Sequence, residues 1–224
     1  MTTHHPTARA RPWYLVAAMC LVWVVGVFGA TGACSNLAYL RGSQRMPSAL
    51  EADAEDPGTH PWIRSGVVRE RARLEALAEQ HRVAFPLAVA KLLLNVLLVL
   101  AAGAALTGRR NARTFALQVI AASAALAAVD WVLMSEAREA MAQAVAIDAV
   151  DSGVGKLPDM DREQSVDLVR GIHLWAERFR LALLLFGVFG ASAYTLTRPR
   201  TKEFFATAAA DGAPEDPSSP DDDE

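Results

Sequence analysis

The chain has 224 residues, 52% of them hydrophobic, and a formal net charge of −3 at neutral pH. That balance excludes a nucleic-acid partner held by charge, and no basic stripe with interleaved aromatics is present. Length alone admits one water-soluble domain. The apolar residues are instead gathered into four runs, 13–33, 84–106, 113–134 and 179–197, each close to the ~20 residues that cross a ~30 Å hydrocarbon layer. Few charges interrupt them, which separates them from amphipathic core helices. The expected fold is all-α: a polytopic membrane protein with four transmembrane helices in an up-down bundle and helical extensions on the outer side. Arginine outnumbers lysine 19 to 3 and alanine is abundant, a bias that suits a GC-rich bacterial genome; the expected location is the inner membrane.

Residues 1–12 carry Arg9 and Arg11 and precede the first span, where Trp13 and Tyr14 are placed to sit at an interface. Within 13–33, Gly26 and Ala30, and Gly29 and Ala33, are spaced four apart, as in close-packing helix faces. Cys34 follows Thr31-Gly32-Ala33, which resembles a bacterial lipoprotein signal. Thr31 stands where that signal usually has leucine, and the apolar run is longer than the 7–15 residues of a cleaved signal. An uncleaved span is expected. Cys20 and Cys34 form no C-x-x-C and are read as buried bystanders without redox chemistry.

Residues 34–83 form an outside loop with a helix over 63–83, where Val67, Leu74, Leu77, Ala78 and His81 recur at helical spacing and no breaker intervenes before Pro86. The second span, 84–106, contains Lys91 and Asn95 one turn apart. A short turn, 107–112, makes the second and third spans neighbours. The third span, 113–134, holds Asp130 and Trp131. Residues 135–178 read as an outside helical hairpin: a first helix with Ala137, Met141, Ala144 and Val145 on one face, a stop at Asp-Ser-Gly-Val-Gly, and a second helix capped by Asp159 or Asp161. The stripe Val166, Val169, Ile172, Ala176 and Phe179 carries that helix into the fourth span, 179–197, with Arg180 near its start. Residues 198–224 are a cytoplasmic tail, expected to be structureless from about Phe205 because its acidic, Pro- and Ser-rich composition buries little.

Charge sets the threading. Arg9, Arg11, Arg109, Arg110, Arg113, Arg198, Arg200 and Lys202 lie in three short segments, whereas 35–83 balances seven arginines against seven acids and 135–178 holds five basic residues against nine acids. The positive-inside rule then puts both termini and the 107–112 turn in the cytoplasm. Tyr194 falls at an inner end and Trp175 at an outer one, in agreement.

The residues out of place are Lys91, Asn95, Asp130 and Arg180, a candidate intramembrane polar cluster. About a turn centred near Arg110, Lys91 lies 19 residues before and Asp130 20 after, so the two come to nearly the same depth. A structural ion pair, independent snorkelling of the lysine, and a site that moves a proton or ion or binds a small ligand are all consistent with that placement. His81 and His173 precede the second and fourth spans without a ligand set around them. Gly-Val-Phe-Gly-Ala occurs at both 26–30 and 187–191, which small-residue packing explains more simply than duplication. No catalytic motif, cofactor fingerprint or metal-ligand spacing is found. The expected role is a non-enzymatic accessory, scaffold or sensor-like subunit in contact with the lipid bilayer, meeting a protein partner through the outside helical head or the acidic tail. The alternative is a small transporter or channel-like protein using the polar cluster.

Overall fold

The computed structural model describes residues 12–42, 61–109, 111–153, 155 and 160–211. Arg9, Arg11, Arg110, Asp159 and the acidic stretch from 212 lie outside the described residues. The chain is helical throughout, with no strand among the described residues. Four stretches are long and apolar enough to cross a membrane: Trp13–Arg41, His81–Thr107, Ala112–Leu133 and Arg162–Thr197.

Helix α1 (Trp13–Arg41) starts at Pro12, whose carbonyl accepts from the Leu15 amide at 3.0 Å. It runs past the expected end at residue 33 because nothing between Cys34 and Arg41 breaks it; Gly42 then closes it on the Ala38 carbonyl. Its extension is anchored, with Leu40 buried beside Ala84, Leu87 and Met134. Cys20 and Cys34 are free and exposed, not buried as expected. They lie off the Leu15, Met19, Val22 and Gly26 line that packs inward.

Helix α2 (Pro61–Glu79) buries Val67, Leu74 and Ala76. It ends before helix α3 (His81–Thr107), separated by Gln80 at φ −97° and ψ 28°. The expected continuous run from residue 63 into the second span is therefore interrupted at Gln80, six residues before Pro86. Because α3 begins afresh at His81, Pro86 falls in its second turn and the helix passes through it. Gly108 at φ +73° ends α3, a left-handed conformation that glycine adopts without a Cβ penalty. Helix α4 (Ala112–Leu133) follows at once and packs back on α3. Alanines line the contact: Ala101, Ala102 and Ala105 of α3 and Ala112 and Ala116 of α4 are all buried in one cluster. Between apolar helices, small side chains gain dispersion contacts by letting backbones approach.

Met134 interrupts the helix before α5 (Ser135–Asp151), which ends at Ser152 with Gly153 at φ +81°. Its buried face is Ala142, Val145, Ala146 and Val150, displaced from the expected Ala137, Met141, Ala144 and Val145, which are only half-buried apart from Val145. Helix α6 (Arg162–Ala182) is capped by Asp161, whose carboxylate accepts from the Gln164 amide at 2.8 Å. Arg162 grips Asp151 through two 3.0 Å hydrogen bonds, pinning the α5–α6 turn. Helices α2, α5 and α6 pack into a small head, with Ala146, Val150 and Val166 at one of its cores. Of the stripe expected on α6, Val166 is buried and Val169 half-buried, but Ile172, Ala176 and Phe179 are exposed.

Helix α6 continues as a π-helical stretch, Leu183–Gly190, into α7 (Ala191–Thr197). The wider turn carries Phe189 into the core while Phe186 stays exposed. Helix α8 (Pro199–Asp211) extends order past Phe205, which is buried in the main cluster. The structureless tail expected from about Phe205 is corrected there: two adjacent aromatics, Phe204 and Phe205, supply the apolar surface that the composition of the whole tail conceals.

Candidate polar site between the apolar helices

The α3–α4 hairpin brings Lys91 Nζ to 2.6 Å from Asp130 Oδ1. Both side chains are largely enclosed, at 32% and 24% exposure. Each neutralises the other, so neither helix presents an isolated charge at this level.

Asn95 turns elsewhere. A Cβ built on Gly29 of α1 would stand 2.5 Å from Asn95 Oδ1 and 2.6 Å from its Nδ2. The amide therefore lies flat on the bare backbone of α1, in the α1–α3 seam. Gly26, one turn away, is approached by the Asn95 carbonyl at 3.0 Å and by Val99 Cγ2 at 2.9 Å from its virtual Cβ. These two glycines leave room for α3 to lie close against α1. The second Gly-Val-Phe-Gly-Ala does not repeat it: Gly187 and Gly190 are approached only by Leu183 and the Leu185 carbonyl of their own stretch.

Arg180 does not join the cluster. Its side chain is 78% exposed and lies 3.9 Å from Glu177 on its own helix. In its place stands Arg138 of α5, which the sequence reading did not single out. Its guanidinium carbon lies 3.8 Å from the centre of the Trp131 ring, and Nη1 donates to the Asp130 carbonyl at 3.4 Å. Burial pushes the Arg138 pKa down, opposed by the charges of Asp130 and Glu177. Arginine stays protonated regardless, so the burial is a cost met by those neighbours. Arg138 Nη2 is buried with no hydrogen-bond partner among the described residues. Glu177 also takes a 2.5 Å contact from Arg69 of α2. Charges of alternating sign thus step from Lys91 through Asp130 and Arg138 to Glu177 and Arg69, crossing from the hairpin into the head. The one sequence signal for Arg138 was its spacing of seven from Trp131, two turns along one face.

His81 stacks on Phe85 at 5.8 Å, and His173 Nδ1 lies 3.1 Å from the Val169 carbonyl, so each is engaged on its own helix. No group of three potential metal-ligating side chains occurs among the described residues. At the opposite end of the hairpin, Arg113 Nε donates to the Leu196 carbonyl at 2.8 Å, and Arg198 lies between the Tyr14 and Tyr194 rings at 5.1 and 4.9 Å. The arrangement compensates charge and locks helices together. No protein-family model, curated protein or solved structure matches the chain.

Proposed function

We propose that the protein is a non-enzymatic multi-pass subunit of the bacterial inner membrane, an accessory or scaffold whose helical head or acidic tail meets a protein partner. In this reading the four apolar stretches cross the bilayer alternately, with both termini cytoplasmic. Support for the threading comes from one end of the molecule, where Arg113, Arg198, Tyr14 and Tyr194 lie together, a basic and aromatic set suited to an inner interface.

The observation that carries the functional reading is the dispersal of the polar residues. Lys91 is spent on Asp130, Asn95 on Gly29, and Arg180 on Glu177. Groups that face three different neighbours do not line one path, whereas a transporter needs polar groups converging on a shared cavity. The test is purification from native membranes with identification of co-purifying proteins and of the crosslinks they make. A stoichiometric partner crosslinked to the head or the tail is the expected result. Proton or ion flux in proteoliposomes that vanishes in Lys91→Leu would instead establish the transporter reading.

A further inference from the structure

Helix α6 carries apolar residues both toward the head and away from it. One face packs inward through Val166 and Val169 and turns Glu177 toward Arg69. On the other, Leu168, Ile172, Trp175, Phe179, Leu183 and Phe186 are exposed, all but Leu168 by more than half. At about 100° per residue, the four of these that lie within α6 fall inside roughly 60° of one another. They are spaced four, three and four residues apart, the a/d rhythm by which one straight helix receives another.

Lipid covers only the lower part of this stripe. About 20 residues of hydrocarbon counted back from Thr197 reach residue 178. Leu168, Ile172 and Trp175 then stand about 5–15 Å beyond the acyl chains, at ~1.5 Å per residue. The stripe nevertheless runs on without a break across that boundary, and Trp175 and Phe179 stack ring on ring at 5.7 Å across it. A covering element has to span both phases, as a helix entering the membrane does.

Copies of one chain inserted in one membrane share an orientation, so a two-fold axis along the membrane normal sets α6 parallel to its counterpart and in register. Each large apolar residue then meets its own mate. No charge lies within the stripe from Leu168 to Phe179, so self-pairing opposes no like charges there. Gly171, at its edge, has nothing within 4 Å of a virtual Cβ and leaves room for the approach. The geometry points to a second copy of this chain, docked α6 to α6 as a parallel homodimer.

This inference rests on the four-span reading above, and the test separates the two. Single cysteines are placed in the full chain carrying Cys20→Ala and Cys34→Ala, and oxidative crosslinking is followed in native membranes. Ile172→Cys and Phe179→Cys are expected to form disulfide dimers at least tenfold faster than Asp167→Cys and Arg170→Cys, because only the stripe brings Cβ atoms to the ~4 Å that a disulfide needs. Equal rates at all four positions overturn the seam, as does crosslinking of the stripe to a different protein. Absent crosslinks overturn it too where reporter fusions confirm the threading; if the fusions contradict the threading, the four-span reading is what has failed. As a second measurement, Ile172→Asp with Trp175→Asp should halve the protein mass in detergent by light scattering while helical circular dichroism is retained. An unchanged mass overturns the dimer.

Discussion

Asp130 is the more exacting partner of its ion pair, because a short carboxylate cannot reach for water as the four-methylene stem of Lys91 can. Removing either partner therefore has unequal consequences. Lys91→Leu leaves the carboxylate facing apolar helices and should cost on the order of 2 kcal/mol; Asp130→Leu should cost less, since the freed ammonium can snorkel. The double substitution removes both liabilities and should recover much of the loss. Thermal unfolding of all four proteins in lipid checks this, and losses that simply add would deny the coupling. That Lys91 meets Asp130 is legible in the sequence because the short turn ties the two helices into one register. The partner of Asn95 was not legible, since no short turn relates α1 to α3 and nothing in the sequence sets their mutual rotation. Arg138 was hidden for a different reason: an arginine in a charged loop looks ordinary until its helix stacks it on Trp131.

At the scale of the helices, the glycines of α1 divide sharply. A Cβ at Gly26 would press on the Asn95 carbonyl, a backbone atom that cannot swing aside, while one at Gly32 would meet nothing within 4 Å. Gly26→Ala should destabilise by about 1–3 kcal/mol as the α1–α3 seam is forced open. Gly32→Ala should stabilise by roughly 0.5–1 kcal/mol, because alanine restricts the unfolded chain without touching anything. Paired melting curves in detergent would distinguish them, and equal effects would mean that Gly26 is not in close contact. Small residues at four-residue spacing announced this seam, but they could not say which glycine faces what. The interruption at Gln80 carried no signal either, for neither glycine nor proline marks it. The outward face of α6 was only half legible: Ile172 and Phe179 fall in one stripe with Val166 and Val169, and helical spacing alone cannot say which edge of a stripe meets the rest of the molecule.

For the whole molecule, existence and order of the four long apolar helices followed from hydropathy and length, which are local properties. How the head sits on them did not, because it depends on contacts such as Arg69 with Glu177, 108 residues apart. The threading makes its own prediction. Reporter fusions at Arg110 and Lys202 should read as cytoplasmic, and fusions near Asp56 and Gly155 as external. A cytoplasmic reading at Gly155 would remove the four-span arrangement altogether.

The two interruptions, at Gln80 and Met134, lie at one level, since the Gln80 side chain donates to Glu136 at 3.3 Å across them. Through that same level Arg162–Thr197 passes unbroken. In mechanical terms the molecule is a shaft with two knuckles beside it. A sideways load on the head would be resisted at the knuckles by the cluster of Leu40, Ala84, Leu87 and Met134 and by Arg138 stacked on Trp131, and carried down the shaft, a lever about 50 Å long. The shaft's foot lies where Arg198 meets the Tyr14 and Tyr194 rings, so the lower end of the lever is tied to the first turn of α1.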